Sequence, residues 1–314
     1  MRFLKRYPQK IFHYVLLSGF IASFFSTAIL ISPYSASLDN LEKFSEKRSL
    51  GFGRSLISTI PKDTAVVATF KFLPPLSQRR ELYSFHQVYM GTYTLSRRIY
   101  ILPKTVEYAL LDMVDSHTFD EPIFKTAKSP KNLKEFFLNN PWQVIDFAED
   151  VILLKKGKKG LDPLYQVNPP DIRLADLKLE ANLNDEIQLD GITIHMGSGI
   201  HEGHARFTFY WKCLKKTAKN YGMILTLVDS RGNTFYEYTR HLCYRLYPTS
   251  EWNPGDTVVE NYWFIMPQEV PEGAVEVRVG AMDMDKMEAQ SFASKMEGKV
   301  DAYGRVKLET FEPY

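Results

Sequence analysis

An uncharged run near the N-terminus constrains this chain more than any other feature of its sequence. Residues 11–32 contain no Asp, Glu, Lys or Arg, whereas residues 1–10 contain four bases and no acid. A helix of 22 residues is about 33 Å long and can cross a hydrocarbon core of about 30 Å. The basic flank predicts a cytoplasmic N-terminus. We therefore expect residues 1–37 to form a single-pass anchor in the inner or cytoplasmic membrane, with the remainder periplasmic or extracellular.

A cleaved signal peptide is the alternative interpretation of the same run. The apolar region of a signal peptide usually has about 7–15 residues, and this run is longer. Residues 35–37, Ser-Ala-Ser, make a poor cleavage site. The sequence favours an uncleaved anchor and leaves cleavage open.

Small residues recur at four-residue spacing along the predicted span. This spacing lets a second helix approach closely, although small residues are also common in membrane spans generally. We expect the span to contact the lipid bilayer and to pack against other integral membrane proteins or its own copy. The small residues are Ser18, Gly19, Ala22, Ser23, Ser26 and Thr27.

Composition excludes several classes of protein. The net charge of +2 over 314 residues is too small to indicate a nucleic-acid partner. Two cysteines, Cys213 and Cys243, are too few for a disulfide-dense scaffold or a four-cysteine zinc site. In an oxidising compartment these two could pair, but the sequence does not give the distance between them. No cofactor is indicated.

Residues 38–165 predict a small α/β domain on the extracytoplasmic side. Apolar residues at helical spacing before Pro61 indicate a helix, and β-branched runs indicate buried strands. Strands alternating with helical pieces are typical of an α/β layer. Helices are expected at 38–58 and 132–139, and strands at 64–69, 98–102, 106–112, 142–147 and 150–154.

From residue 183 onward the pattern indicates strands alone, after a linker at 166–182 rich in proline near its start. Alternating apolar residues separated by turn signals predict an antiparallel β-sandwich over 183–314. Strands are expected at 187–194, 205–211, 222–228, 257–266, 274–282 and 304–311.

Two groups of polar side chains have the residue types of a metal site. One follows the strand predicted at 106–112, where α/β proteins often bind ligands; the other crowds one hairpin of the predicted sandwich. A solvated turn explains each group as well, because a metal needs three or four convergent ligands. The first group is Asp112, Asp115, His117 and Asp120, and the second is His195, His201, Glu202 and His204.

Aromatic residues of the predicted sandwich allow two interpretations. They could form a platform on which sugar rings stack, or they could fill the core, where large aromatic side chains are commonly buried. The sequence leaves both open. The residues are Tyr210, Trp211, Tyr247, Trp252, Tyr262 and Trp263.

The first half of the chain resembles a known family. Ile-Pro-Lys-Asp-Thr-Ala-Val-Val-Ala-Thr at 60–69, Leu-Pro-Pro-Leu-Ser-Gln-Arg-Arg at 73–80 and Tyr-Ala-Leu-Leu-Asp at 108–112 are similar to the extracytoplasmic C-terminal region of an uncharacterised bacterial polytopic membrane protein family related to GT-C glycosyltransferases. The resemblance covers about residues 33–160. The family usually has histidine where this chain has Pro75, and its multi-helix part has no counterpart here. The resemblance therefore implies an accessory role rather than glycosyltransfer by this chain.

The second half carries a separate resemblance. Tyr-Pro-Thr-Ser at 247–250, followed by Trp252, Pro254 and Gly255, resembles the C-terminal β-sandwich of glycosyltransferase-like membrane proteins. It covers about residues 183–312. It implies a jelly-roll-like accessory module with sugar binding as a further expectation, and it brings no catalytic residues.

These observations predict a non-catalytic, membrane-anchored accessory or structural subunit of a larger membrane protein complex. The sequence shows no Ser/His/Asp set at the spacing of known triads and no nucleophile elbow. The alternatives are a cell-envelope glycan-binding module and, more remotely, an accessory to glycosyltransfer in envelope polysaccharide assembly.

Overall fold

The structure is a computed structural model that describes residues 47–158, 160–170, 175–198, 201–267, 272–273, 275–294 and 298–311. The predicted anchor and its small residues from Ser18 to Thr27 lie outside these ranges. Among the described residues, no helix combines the length and apolarity that crossing a membrane requires. Residues Gly51–Tyr314 form one compact unit.

A mixed five-stranded sheet occupies the first part of this unit. Its strands are β1 (Ala65–Ala68), β2 (Leu82–Ser84), β3 (Val106–Asp112), β4 (Trp142–Ala148) and β5 (Val151–Lys156). The order is β2-β1-β3-β5-β4. β1 is parallel to both β2 and β3, whereas β5 is antiparallel to β3 and β4. All four residues of β1 are buried, as expected of a strand covered on both faces.

Short helices cover both faces of the mixed sheet. Phe52 and Leu56 pack with Val66 and Leu110 on one face, and Phe136 packs in the core on the other. Apolar residues three or four apart place one side of each longer helix against the sheet. The helices are α1 (Lys47–Thr59), α2 (Leu73–Leu76), α3 (Phe85–Met90), α4 (Ser116–Phe119) and α5 (Ser129–Leu138).

The remaining strands form two further sheets that pack as a sandwich. One sheet contains β6 (Tyr165–Val167), β7 (Leu177–Leu183), β8 (Ile187–Met196), β9 (His204–Cys213), β12 (Thr257–Ile265) and β15 (Phe292–Ala293). The other contains β10 (Tyr221–Val228), β11 (Thr234–His241), β13 (Val275–Asp283), β14 (Glu288–Gln290) and β16 (Val306–Phe311). Their orders are β15-β7-β8-β9-β12-β6 and β11-β10-β13-β14, with β16 also paired to β13.

The β-rich prediction is confirmed at this level, because three sheets and few helices make up the described residues. β3 has the predicted bounds. The strand predicted at 98–102 is wrong: this segment is an exposed loop with one isolated bridge, between Thr92 and Ile99. Its β-branched and aromatic residues suit a strand, but the segment is not part of a sheet. The predicted division at 166–182 stays a prediction.

A buried ion cluster joins the mixed sheet to both sheets of the sandwich. Arg240 on β11, Asp150 in the β4–β5 turn and Glu260 on β12 have side chains exposed by 1% or less. Arg240 Nη1 lies 2.6 Å from Glu260 Oε1, and Arg240 Nε lies 3.4 Å from Asp150 Oδ1. The Tyr238 hydroxyl also donates to Asp150 Oδ2 at 2.9 Å. Three separate chain segments must therefore converge to neutralise the guanidinium.

Burial and mutual charge shift the pKa values of all three groups in the cluster. Loss of solvation raises the pKa of Asp150 and of Glu260, while Arg240 opposes both shifts. Burial acts against the charge on Arg240, but the two carboxylates outweigh it and raise the pKa of the guanidinium. The charge on Arg240 and those on the two carboxyl groups therefore depend on one another.

We expect Arg240→Met to lower the free energy of unfolding by about 3–5 kcal/mol, because it leaves buried carboxylates without their cation. Urea unfolding of the full chain in mild detergent, followed by circular dichroism, measures this change.

Arg231→Met is the matched control, because Arg231 is exposed and its loss should change stability by less than about 0.5 kcal/mol. Combining Arg240→Met with Asp150→Asn and Glu260→Leu should restore much of the stability, since the buried charges are then removed together. A loss below about 1 kcal/mol for Arg240→Met alone would contradict the structural importance of the cluster.

Candidate functional site at the edge of the parallel strands

Polar side chains collect where the three parallel strands end. Thr69 follows β1, Ser84 ends β2 and Asp112 ends β3. The strands run in the same direction, so these three residues lie at one edge of the sheet. Ligands of α/β proteins are commonly bound at this carboxyl edge. The edge is therefore the candidate functional site, and it includes the first predicted metal group.

Asp112 is held in place by three neighbours. Its backbone N–H donates to Thr69 Oγ1 at 3.0 Å, and its Oδ1 accepts from the backbone N–H of Val114 at 3.1 Å. Its Oδ2 lies 2.7 Å from Lys71 Nζ, in an ion pair in which the aspartate side chain is 3% exposed and the lysine side chain 28%. The carboxylate is thus neutralised inside the protein and oriented by the backbone.

Asp115 and Asp120 also have partners within the protein. The Thr118 hydroxyl donates to Asp115 Oδ2 at 2.8 Å. Burial raises the pKa of the Asp115 carboxyl, the Thr118 hydrogen bond opposes this shift, and Asp112 adds to it. Asp120 receives two hydrogen bonds from Arg245, each of 3.2 Å. His117 is largely exposed, with Nδ1 4.0 Å from Asp115 Oδ1.

His86 completes the edge from α3. Its Nδ1 lies 2.6 Å from Ser84 Oγ and its Nε2 lies 2.5 Å from Thr94 Oγ1. The ring stacks on Phe70, with centroids 4.6 Å apart, and contacts Phe124 at 4.8 Å. Burial lowers the pKa of His86, so the ring is neutral at pH 7. Each ring nitrogen is engaged with a hydroxyl.

The strand edge is thus a set of paired groups. A hard cation requires several converging oxygen ligands, and the oxygens of Asp112 and Asp115 already bind a lysine, a hydroxyl and backbone N–H groups. Within the described ranges, no three or more His, Cys, Asp or Glu side chains are placed to hold a metal ion. In this arrangement the protein's own groups orient and neutralise the carboxylates, rather than leaving them open to a ligand.

The structure brings together two of the four residues in the second predicted metal group. His201 Nδ1 lies 3.0 Å from His204 Nδ1, and His201 Nε2 lies 3.0 Å from Asp146 Oδ1 on β4. The His201 ring also stacks on Trp263, with centroids 4.3 Å apart. His195 and Glu202 are exposed on the same hairpin. The hairpin histidines therefore contact the mixed sheet.

Hydrogen-bonding roles in this histidine pair follow from the carboxylate. Asp146 accepts, so Nε2 of His201 carries the proton and its Nδ1 accepts from Nδ1–H of His204. Burial lowers the pKa of His204, and the neighbouring His201 lowers it further. His204 can therefore donate to His201 as a neutral ring.

Most of the aromatic residues considered for sugar stacking lie in the interior. Tyr210, Trp211, Trp252 and Tyr262 are buried, with exposures between 0% and 7%. Tyr247 and Trp263 are half-buried. Tyr247 stacks on Tyr165 with centroids 6.1 Å apart, and Trp263 stacks on His201. The six residues do not form one open platform.

Cys213 and Cys243 are free, buried thiols. Cys213 ends β9 and Cys243 lies in the turn after β11. Burial raises the pKa of both thiols, which keeps them protonated and unreactive at neutral pH.

Lys71, His86 and Asp146 are among the site residues that are absent from the sequence-based groups. Lys71 lies three residues after the end of β1, so its place beyond a predicted strand is a usable signal. His86 lies in a helix that the sequence pattern did not indicate. Asp146 is 55 positions from His201, and its contact depends on tertiary packing, which spacing does not encode.

No protein-family model and no curated protein matches this chain. Among solved structures, an endonuclease/exonuclease/phosphatase from Beutenbergia cavernae is similar over 49% of this chain and 35% of its own length. The identity is 13% and the TM-score 0.18. At that score the likeness carries no argument about function.

We expect Asp115→Asn to increase the free energy of unfolding at pH 7. Folding raises the pKa of this carboxyl, so its contribution to stability is fully present at low pH and is lost as pH rises through the folded-state pKa. Asparagine does not ionise, and its oxygen can still accept from Thr118. Urea unfolding at a series of pH values should show a gain that disappears below about pH 4.

Asp162→Asn is the control, because Asp162 is exposed. It should change stability little at any pH. A gain from Asp115→Asn that does not depend on pH, or a loss at pH 7, would contradict this account of the site.

Proposed function

We propose that this chain is a non-catalytic accessory or structural subunit of a larger membrane protein complex, anchored by residues 11–32 and folded outside the cytoplasm. The observation that carries this proposal is the pairing of charges at the strand edge. Asp112 is bound by Lys71 and Asp120 by Arg245, and the Asp115 carboxylate accepts from Thr118. A catalytic acid or base would first have to be released from such a partner.

Contacts between the mixed sheet and the sandwich support a structural role. Besides the Arg240 cluster, the backbone N–H of Glu149 donates to the carbonyl oxygen of Trp263 at 2.6 Å. Lys134 on α5 forms an ion pair with Glu251. Such connections suit a body that presents fixed surfaces to partners, since packed interiors resist deformation.

The finer architecture is part of the same proposal. We assign the mixed sheet with its helices to the expected small α/β domain, and the sandwich to the expected jelly-roll-like module. Both resemblances are to parts of larger membrane proteins, of which the first family is polytopic. A chain that combines the two on one anchor suits an extracytoplasmic subunit whose partners lie in the same membrane.

We expect the tagged full-length chain, captured from native membranes in mild detergent, to bring down integral membrane proteins in fixed stoichiometry. Gly19→Leu combined with Ser23→Leu should remove most of these partners, because added bulk keeps another helix from approaching. Quantitative mass spectrometry of the captured material measures the ratio.

Ile21→Phe combined with Phe24→Leu is the matched control, because these positions lie on the opposite side of a helix with 3.6 residues per turn. The control should retain the partners. Recovery of the unaltered chain alone, or equal loss of partners in both double variants, would count against the proposal.

A further inference from the structure

The loop at 92–101, between α3 and β3, exposes four large apolar side chains, which we call the apolar tip. Leu95 is 97% exposed, Ile101 77%, Ile99 76% and Tyr93 46%. Single exposed apolar residues are common, but a group within ten positions marks an interaction surface. All residues from 93 to 99 are exposed.

The loop has a defined conformation. Tyr93 N–H donates to the Arg98 carbonyl at 3.1 Å, and Tyr100 N–H donates to the Gly91 carbonyl at 3.0 Å. Thr94 bonds His86 at the strand edge, and Leu102 packs against the core. The base of the loop is fixed from both sides, so its apolar side chains are held outward.

Backbone strain at the turn of the loop also indicates an interaction surface. Leu95 has a φ of 57°, in the left-handed region that residues other than glycine rarely adopt. Its side chain is almost fully exposed, so burial within the protein does not offset this cost. Strained residues of this kind concentrate at functional sites.

The charged side chains of the loop itself are basic. Residues 82–106 contain Arg97, Arg98 and Lys104, with Glu81 and Glu107 directly outside this range, and Glu81 Oε2 accepts from the Thr105 hydroxyl at 2.8 Å. Lys156, at the end of β5, donates from Nζ to the Lys104 carbonyl at 3.1 Å. Within the loop, the exposed charges next to the apolar side chains are therefore Arg97 and Arg98. Guanidinium groups bind phosphate oxygens in a bidentate geometry.

We propose that the apolar tip inserts into the interface of an anionic lipid bilayer, with Arg97 and Arg98 bound to lipid phosphates. Apolar side chains beside bases and tyrosines are the combination that partitions into the headgroup region. Bases near a bilayer are attracted by anionic lipids. A protein partner would require complementary acids, whereas a bilayer supplies phosphate and apolar chains together. This proposal rests on the membrane location proposed above.

A second exposed turn provides a matched control. Met287 is 64% exposed and also has a φ of 57°. Its neighbours along the chain are three acids, Asp283, Asp285 and Glu288, and one base, Lys286, so the turn has a net negative charge that an anionic surface should repel. The two turns share a positive φ and apolar exposure and differ in net charge.

The test uses the full chain carrying Leu95→Cys or Met287→Cys, labelled with the environment-sensitive fluorophore NBD. Selective labelling is possible because both native thiols are buried. Each labelled chain is reconstituted into phosphatidylcholine vesicles with and without phosphatidylglycerol. We expect a blue-shifted emission that nitroxide-labelled lipids quench, for the Leu95 position only and more strongly with phosphatidylglycerol.

Adding Arg97→Glu and Arg98→Glu to the Leu95→Cys chain should remove the phosphatidylglycerol dependence. A probe at Leu95 that stays in water overturns the proposal. A probe that is shielded but not quenched by lipid nitroxides also overturns it, since a protein then covers the tip. Equal quenching without phosphatidylglycerol contradicts selection of an anionic surface. Loss of the whole chain from vesicles in alkaline carbonate would instead contradict the anchor.

Discussion

The buried guanidinium of Arg240 connects the mixed sheet to both sheets of the sandwich. Its planar group lies between two tyrosine rings, 4.4 Å from the centroid of Tyr244 and 4.2 Å from that of Tyr262. A cation in such surroundings is tolerated only when paired, and its carboxylates come from the β4–β5 turn and from β12. Neither the sandwich nor the mixed sheet can complete this cluster alone.

The same cluster fixes unusual backbone nearby. Cys243, Tyr244 and Arg245 have φ values of 47°, 56° and 62°, a left-handed run that costs free energy at each residue. Glu260 Oε1 accepts from the Cys243 backbone N–H at 2.9 Å, so the carboxylate that neutralises Arg240 also holds this turn. Arg245 then extends from the turn to Asp120 at the strand edge. The ion cluster and the strand edge are parts of one connected polar system.

Sequence pattern predicted the strands that contain dense runs of apolar, β-branched or aromatic residues. β3 and β9 are examples, because five consecutive residues of each are buried. β2 has only three residues, all half-buried, and no such run. At the strand edge, Asp112 and Asp115 could be predicted from their place after β3, whereas the pairing of Asp146 with His201 arises from packing between sheets. Local sequence encodes where a residue lies along a strand, but not which residue of another sheet it contacts.

The loop at 92–101 shows how composition can suit more than one structure. Ile99, Tyr100 and Ile101 favour a strand by propensity, yet a strand needs a neighbour for its backbone groups. Here Tyr93 and Tyr100 donate to carbonyls in or directly beside the loop, and the apolar side chains stay outside. The turn at Met287 has the same φ of 57° as Leu95, beside a net negative charge. Conformation alone therefore does not determine what such a turn contacts. The charges beside the turn decide which surface can approach it closely, and only a surface that approaches closely can bury the apolar side chain.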